Sequence, residues 1–150
     1  MISVRVQPEP FDPGAELVAL ETLGGGAVAS FTGIVRGEEG PGGGLVELLL
    51  EHHPGMTAKA MEAIAADAAR RWPLLGIVLV HRIGAMTPGE RIVFVGTASR
   101  HRAAALEACA FLIDWLKTGA PFWKRARFAD GTSQWVEARA EDDAAASRWV

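Results

Sequence analysis

The architecture of this 150-residue chain is organised around one segment, residues 102–121, which reads RAAALEACAFLIDWLKTGAP. Its apolar residues recur every three or four positions, as on one face of a helix. The pattern predicts a helix from Arg102 to Lys117 with a core face made by Leu106, Cys109, Ile113 and Leu116. Gly119 and Pro121 follow as a glycine and proline stop. We therefore expect a long helix that ends abruptly next to a lysine.

Outward from this segment, the sequence predicts an alternation of helices and strands. A second helix is predicted from Thr57, as its N-cap, to Trp72, and a shorter one begins at Asp12-Pro13. Strands are predicted at 27–36, 45–51, 76–83, 90–98 and 133–138. Residues 38–44 are glycine-rich and predict a flexible loop. Because the links are short and hairpin-like, we expect one α+β domain over residues 1–150, with a mixed, mostly antiparallel sheet.

Composition excludes several classes of protein. The chain has 49% hydrophobic and 22% charged residues, which excludes a disordered chain. Its formal net charge of −3 argues against a general nucleic-acid binder. No apolar run approaches the ~18 residues of a membrane span, and the start of the chain lacks a signal-peptide core. We expect a soluble cytoplasmic protein.

Common catalytic centres find little support in the sequence. Cys109 is the single cysteine, and its place on the apolar helix face predicts an inert core thiol. His52 and His53 are neighbours, so on a strand they point to opposite faces and cannot share a metal. No serine stands in a G-x-S-x-G turn. We expect no metal and no cofactor.

The distribution of the cations is more informative. Only three of the 15 cations are lysines, and two of these, Lys117 and Lys124, lie in one segment. Residues 99–127 contain six cations and two acids, a local net charge of +4 in a chain of −3. Such segregation indicates an anion site, with a solvated surface strip as the alternative. An amine, unlike a guanidinium, can also exchange a proton.

A continuous helix would separate these cations into two groups. Arg102 and Lys117 are 15 residues apart, which is roughly 22 Å at about 1.5 Å per residue. One small anion cannot touch both ends of that helix. Either the chain has two sites, or the helix start of one subunit meets the helix end of another across a two-fold axis.

The sequence resembles the large, catalytic subunits of molybdopterin synthase, the MoaE family, over essentially its whole length. The motifs that carry the resemblance are FTGIVR (31–36), LEHHPGM (50–56), HRIG (81–84), PGE (88–90), SRHR (99–102), DWLKTGAPFWKR (114–125) and WVEAR (135–139). The chain departs from the family pattern at His53, where a tyrosine is common, and at Ala126, where an acidic residue is usual.

The resemblance implies a hammerhead-type fold and a homodimer inside a heterotetramer. The implied partner is a small ubiquitin-like sulfur carrier whose C-terminal Gly-Gly ends in a thiocarboxylate. The implied reaction transfers two sulfurs to cyclic pyranopterin monophosphate and forms the dithiolene of molybdopterin. A non-catalytic dimeric adaptor for a Gly-Gly-tailed protein is the alternative. An arginine would serve an adaptor equally well, so the two lysines favour the enzyme.

The resemblance also assigns residues. Lys117 and Lys124 match the catalytic lysines of the family. The substrate-binding set comprises these lysines with Ile34, Val35, Arg36, His101, Arg102, Arg125, Ala126 and Arg139. Arg139 matches a basic residue lent across the dimer. Three roles for Lys117 stay open: a neutral amine that moves protons, an ammonium that stabilises an oxyanion, and an imine-forming amine.

Overall fold

Two β-sheets form the frame of the molecule, and the chain crosses between them several times, one crossing following directly after Arg82. The computed structural model describes residues 1–40, 42–136 and 140–149. Within these residues the elements are β1 (Ile2–Gln7), α1 (Pro13–Glu21), β2 (Ala27–Ile34), β3 (Glu39–Gly40), β4 (Gly43–His52), α2 (Met56–Arg71), β5 (Leu74–Arg82), β6 (Gly84–Met86), β7 (Arg91–Ser99), α3 (Arg102–Thr118), β8 (Phe122–Phe128), β9 (Ser133–Val136) and α4 (Ala140–Ser147).

The first sheet has the strand order β1-β5-β7-β2 and is antiparallel except for the pair β1–β5. Its register aligns Val6, His81, Val93 and Gly33 in one row across the four strands. The second sheet has the order β3-β4-β8-β9, and β6 also pairs with β4. The predicted α+β class with mostly antiparallel pairing is confirmed. The sequence patterns did not predict β1, β3, β6 or β8, nor the division into two sheets.

The first sheet is covered on both faces, because alternate residues of a strand point to opposite sides. On β5, Ile77 and Leu79 face a core to which α2 contributes Met61 and α3 contributes Phe111. Val78 and Val80 face a second core with α1, through Phe11, Leu20, Leu17 and Leu23. Helices α2 and α3 therefore lie on one face of the sheet and α1 on the other.

Helix α3 confirms the predicted bounds but not the whole predicted face. It runs from Arg102 to Thr118. Leu106, predicted to be in the core, is 60% exposed. The helix is rotated about its axis so that its buried positions are Ala105, Ala108, Cys109, Phe111, Leu112 and Leu116. Small alanines on the inner side allow the helix to approach the sheet closely, and this rotation leaves Leu106 in solvent.

The starts of the other two predicted helices give opposite outcomes. The Asp12 cap of α1 is confirmed, since its carboxylate accepts a hydrogen bond from Gly14 N at 2.9 Å. The Thr57 cap of α2 is wrong, because the helix begins at Met56 with Gly55 as its N-cap. The buried hydroxyl of Thr57 instead accepts from His53 N at 3.1 Å.

Thr57 thereby joins two elements. Its hydroxyl donates to Pro121 O at 3.0 Å, so the first turn of α2 is tied to the residue before β8.

The glycine-rich segment also differs from the predicted flexible loop. Within it, Glu39–Gly40 pairs with the start of β4 as a narrow hairpin.

Strand β9 covers the described part of the predicted last strand, whose residues 137 and 138 lie outside the described residues. Over the described part of the chain, no helix is long and apolar enough to cross a membrane.

Candidate functional site

Strand β8 orients the second predicted lysine. Side chains alternate along it, with Ala126 and Phe128 buried on one side and Trp123 and Arg125 exposed on the other. Lys124 lies on the same side as Ala126, between its register partners Leu50 of β4 and Val136 of β9. The lysine therefore points toward the protein interior side of the strand and is half-buried.

The end of α3 supplies the first predicted lysine. Lys117 lies in the last turn and is exposed. One turn earlier, the carboxylate of Asp114 accepts from Trp149 Nε1 at 2.6 Å and pairs with Arg148 at 3.0 Å. Because the C-terminal segment of the chain occupies this acid, the nearest carboxylate of the helix is turned away from Lys117.

The charges of both predicted lysines act on a buried histidine. The ring of His81, at the end of β5, stacks on Phe122 with centroids 3.9 Å apart. Burial, opposed by the hydrogen bond to the Arg82 carbonyl and assisted by the positive charges of Lys124 and Lys117, lowers the pKa of His81 from 6.5 to about 4. Because Phe122 and Lys124 lie on the same side of β8, the stack places the start of this strand against His81.

The end of β2 lies at the same end of the first sheet. Gly33 shares a row with Val93 and His81, about 10 Å from His81 across two strand spacings. Val35 is buried in the core, and its backbone N–H donates to Glu90 O at 2.8 Å. Ile34 is 57% exposed. Arg36 is exposed and forms an ion pair with Glu38. Arg36 thus projects from the edge that holds His81.

The opposite end of the sheet carries the other predicted anion contacts. His101 is the N-cap of α3, makes no side-chain capping bond, and is exposed together with Arg102. A cleft of about 390 Å³ lies here, lined by Pro73, Leu74, Leu75, Ser99, Arg100, His101 and Ala104. Since α3 is one continuous helix of 17 residues, Arg102 is roughly 22 Å from Lys117 in the same chain.

The predicted set is therefore divided by the fold. Lys117, Lys124 and the strand end with Arg36 lie at one end of the first sheet, which we call the lysine end. His101 and Arg102 lie at the other, which we call the helix-start end. Arg125 is on the outer face of β8 with its guanidinium 5.8 Å from the centre of the Trp135 ring, and Ala126 is 5% exposed on the inner face. Arg139 lies outside the described residues.

The cysteine is placed as predicted. Cys109 is a free, buried thiol, and burial raises its pKa to about 11, so a reactive thiolate does not form there near neutral pH. Among residues 1–40, 42–136 and 140–149, no three histidine, cysteine, aspartate or glutamate side chains gather as a metal site would require.

Sequence reasoning missed His81 as part of this site. The available signal was its position, because Ile77, Leu79 and His81 alternate on the core side of β5. An ionisable group in such a row is costly to bury and points to a specific environment. Nothing in the sequence pattern shows that Phe122 stacks on this ring.

Comparisons with known proteins identify the family and the fold. The sequence model of the family described as MoaE protein matches residues 6–119. The molybdopterin synthase catalytic subunit of Pseudomonas aeruginosa is 53% identical over 150 residues, which covers 99% of each chain. The fold matches the structure of the molybdopterin biosynthesis MoaE protein from Burkholderia ambifaria, with a TM-score of 0.82, 45% identity, and coverage of 99% and 98% of the two chains.

A more distant structure, that of molybdopterin synthase from Staphylococcus aureus, gives a TM-score of 0.80 at 28% identity and covers 88% of this chain and 95% of that one. The family match spans three quarters of the sequence and the similarity to the Pseudomonas protein spans nearly all of it. The family expected from the sequence motifs is confirmed: this chain belongs to the MoaE protein family.

Proposed function

We propose that this chain is the catalytic subunit of a cytoplasmic molybdopterin synthase. It takes sulfur from the C-terminal thiocarboxylate of a small ubiquitin-like carrier and places it on cyclic pyranopterin monophosphate. In each of two transfers, sulfur replaces an oxygen on a substrate carbon, and the carrier is left as a carboxylate. The observation that supports the proposal is that the charges of Lys117 and Lys124 both act on the buried ring of His81, in a chain that belongs to this family.

The lysine end suits this chemistry. Displacing oxygen from a carbon passes through a state in which negative charge develops on oxygen, and fixed cations stabilise that charge. Lys124 is held on a central strand of the second sheet and Lys117 at a helix end. A carrier tail that reached this place would present its thiocarboxylate to the two amines. Arg36, at the same edge, is available for the phosphate.

The remaining substrate contacts come from a second subunit in this proposal. His101 and Arg102 are exposed but too far from the lysines of their own chain. In a two-fold dimer, each helix-start end would face the partner's lysine end, and the two surfaces would complete two equal sites. Arg139 and Arg125 would add cations, and Ala126 would line the pocket floor. With one carrier at each site, the assembly is a heterotetramer.

The test is single-turnover conversion of cyclic pyranopterin monophosphate by the purified protein and a thiocarboxylated carrier. We expect Lys117→Ala to lower the rate by about 10²- to 10⁴-fold, the range for loss of a positioned proton-transfer or charge-stabilising group. Lys59→Ala is the matched control. It removes the third lysine, which is exposed on α2 and does not act on His81, and it keeps the wild-type rate.

Two results would contradict the proposal. Failure of the wild-type protein to form product, despite a stable complex with the carrier, would favour the adaptor. Full activity of Lys117→Ala would place the chemistry elsewhere.

A further inference from the structure

A network of hydrogen bonds centred on Arg82 joins the ends of β1 and β5 to the start of β7. Arg82 is the last residue of β5, and its side chain is 9% exposed. Its Nε and Nη2 donate to the carbonyl of Pro8, just beyond β1, at 3.1 and 2.9 Å. Its Nη1 donates to the carboxylate of Glu90 at 3.1 Å. The planar fork of an arginine serves both partners at once, which the single ammonium of a lysine does not.

Glu90 carries this network into the turn before β7. One oxygen of its carboxylate accepts from Arg82, and the other accepts from the backbone N–H of Thr87 at 2.6 Å and from the Thr87 hydroxyl at 3.1 Å. The bond from the Thr87 N–H, with those from Arg82 and the Thr87 hydroxyl, holds the pKa of Glu90 below its ordinary value. Residues 87–90 therefore form a turn that is closed by its own last side chain and anchored to a buried cation.

The end of β2 pairs with this turn. The register of β2 against β7 shifts after Gly33, a bulge that re-aims the end of the strand. Beyond the bulge, the Val35 N–H donates to Glu90 O and the Gly89 N–H donates to Val35 O, both at 2.8 Å. The turn that Glu90 closes thus holds both backbone groups of Val35.

Arg36 follows directly and is exposed. The side chain of Val35 is buried, so the alternation of the chain directs Arg36 outward, where it pairs with Glu38. On the other side of Arg36, Gly37 lies beside the same turn, since a methyl group placed on it would stand 3.8 Å from Cβ of Pro88. The turn therefore contacts the chain on both sides of Arg36.

We propose that Glu90, anchored by Arg82, is a positioning residue for the sulfur-transfer site: it holds the turn that fixes the backbone at Arg36, and so places this guanidinium for the phosphate of the substrate. The inference rests on the proposed function, in which Arg36 binds that phosphate. A guanidinium bonds two phosphate oxygens only in a matched orientation, so a shift of its backbone weakens substrate binding.

A double-mutant cycle in the sulfur-transfer assay, with the intact subunit and a thiocarboxylated carrier, tests this role. We expect Glu90→Ala to raise the substrate concentration that gives half the maximal rate by about tenfold, and Arg36→Ala to raise it by about ten- to a hundredfold. The double variant should match Arg36→Ala within about twofold, because Glu90 acts through Arg36. Glu62→Ala removes an exposed carboxylate of α2 and keeps the wild-type value. Losses that multiply in the double variant, or a wild-type value for Glu90→Ala, would overturn the proposal.

A second readout does not depend on turnover. Backbone amide hydrogen exchange, followed by NMR in the intact subunit, reports how firmly the turn holds Val35. We expect slow exchange at Val35 and Gly89 in the wild type and in Glu62→Ala, about tenfold faster exchange in Glu90→Ala, and about threefold faster exchange in the milder Glu90→Gln, which keeps the size of the side chain and loses its charge. Equal exchange in all four proteins would overturn the proposal. The expected exchange pattern in a protein that forms no product would support the hold of Glu90 on this segment and contradict the proposed function instead.

Discussion

The lysine end and the helix-start end of the first sheet are built in different ways. At the lysine end, a buried imidazole is held by a carbonyl and an aromatic ring, and the charges of Lys117 and Lys124 act on it. At the helix-start end, His101 and Arg102 stand exposed beside an open cleft, and no side chain caps the helix. Contacts within one chain hold the groups of the lysine end in place, whereas the side chains of the helix-start end are exposed to solvent.

This difference indicates which part of the proposed site one chain can form by itself and which part needs a second molecule. Catalytic groups must be held within a small tolerance, so they are placed on packed strands and helix ends. Groups that only attract an anion are effective as exposed cations, because a second molecule can supply the remaining walls. In the proposed function, the reacting amines therefore lie in one chain and the phosphate contacts are shared between two.

The strongest test of the difference between the two ends mixes the variants Lys117→Ala and Arg102→Ala and asks whether they complete a shared site. If sites are shared across a dimer, each variant alone loses about 10²-fold or more in rate. Equal mixing makes half of the dimers mixed, and each mixed dimer has one intact site, so about a quarter of the wild-type rate returns. Single-turnover assays after subunit exchange measure this.

A mixture that stays as inactive as its components would contradict the shared site. It would mean that each chain completes its own site or that the helix-start end serves another anion. Size-exclusion chromatography of the mixture is the control that confirms subunit exchange.

The pH dependence of the free energy of unfolding distinguishes the buried histidine of the lysine end, His81, from the exposed histidine of the helix-start end, His101. The folded pKa of His81 is about 4, below its ordinary value of 6.5. Between these values the unfolded chain binds the proton and the folded chain does not. The contribution of His81 is therefore fully present above about pH 6.5 and lost as the pH falls toward about 4, in total about 3 kcal/mol.

Urea unfolding at about pH 7.5 and about pH 4 measures this effect. We expect the wild type to lose about 3 kcal/mol more than His81→Gln over that range. His101→Gln removes the exposed histidine of the helix-start end and keeps the wild-type curve. Equal pH dependence in wild type and His81→Gln would contradict the burial of a neutral imidazole.

The smallest effect concerns the C-terminal segment next to the lysine end. Trp149→Phe keeps an aromatic ring against Trp72 and Phe111 but loses the hydrogen bond to Asp114. We expect a loss of about 1 kcal/mol in the free energy of unfolding, the usual value of one hydrogen bond. Turnover should stay within about twofold, measured in the same single-turnover assay. A tenfold loss of rate would show that this segment positions Lys117.

Local signals in the sequence predicted much of the fold. The bounds of α3 follow from its apolar spacing and from Gly119 and Pro121, which act on their immediate neighbours. The Asp12 cap is equally local. Leu106 was misplaced because apolar residues surround much of this helix, and only packing against the sheet selects the buried side. Thr57 matched a cap pattern, but its hydroxyl has a stronger use at His53 and Pro121.

The site was less predictable for a related reason. Strand β8 carries Lys124, Arg125 and Arg127, and this charge concealed the alternation of Phe122, Ala126 and Phe128. Lys117 and Lys124 were grouped by their place in one segment as well as by the family resemblance. The contact of His81 with Phe122 joins β5 to β8, two strands far apart in sequence, and no local pattern encodes it.

The alternation of β8 also has an evolutionary consequence. Trp123, Arg125 and Arg127 lie on the exposed side of β8, where Arg125 stands over the Trp135 ring, while Lys124 and Ala126 lie on the inner side. Arg125 is a proposed substrate contact, so Trp123 and Arg127 are the outer positions that can change without altering the proposed site. At these two positions a lineage can exchange surface contacts while the inner side of the same strand stays constant.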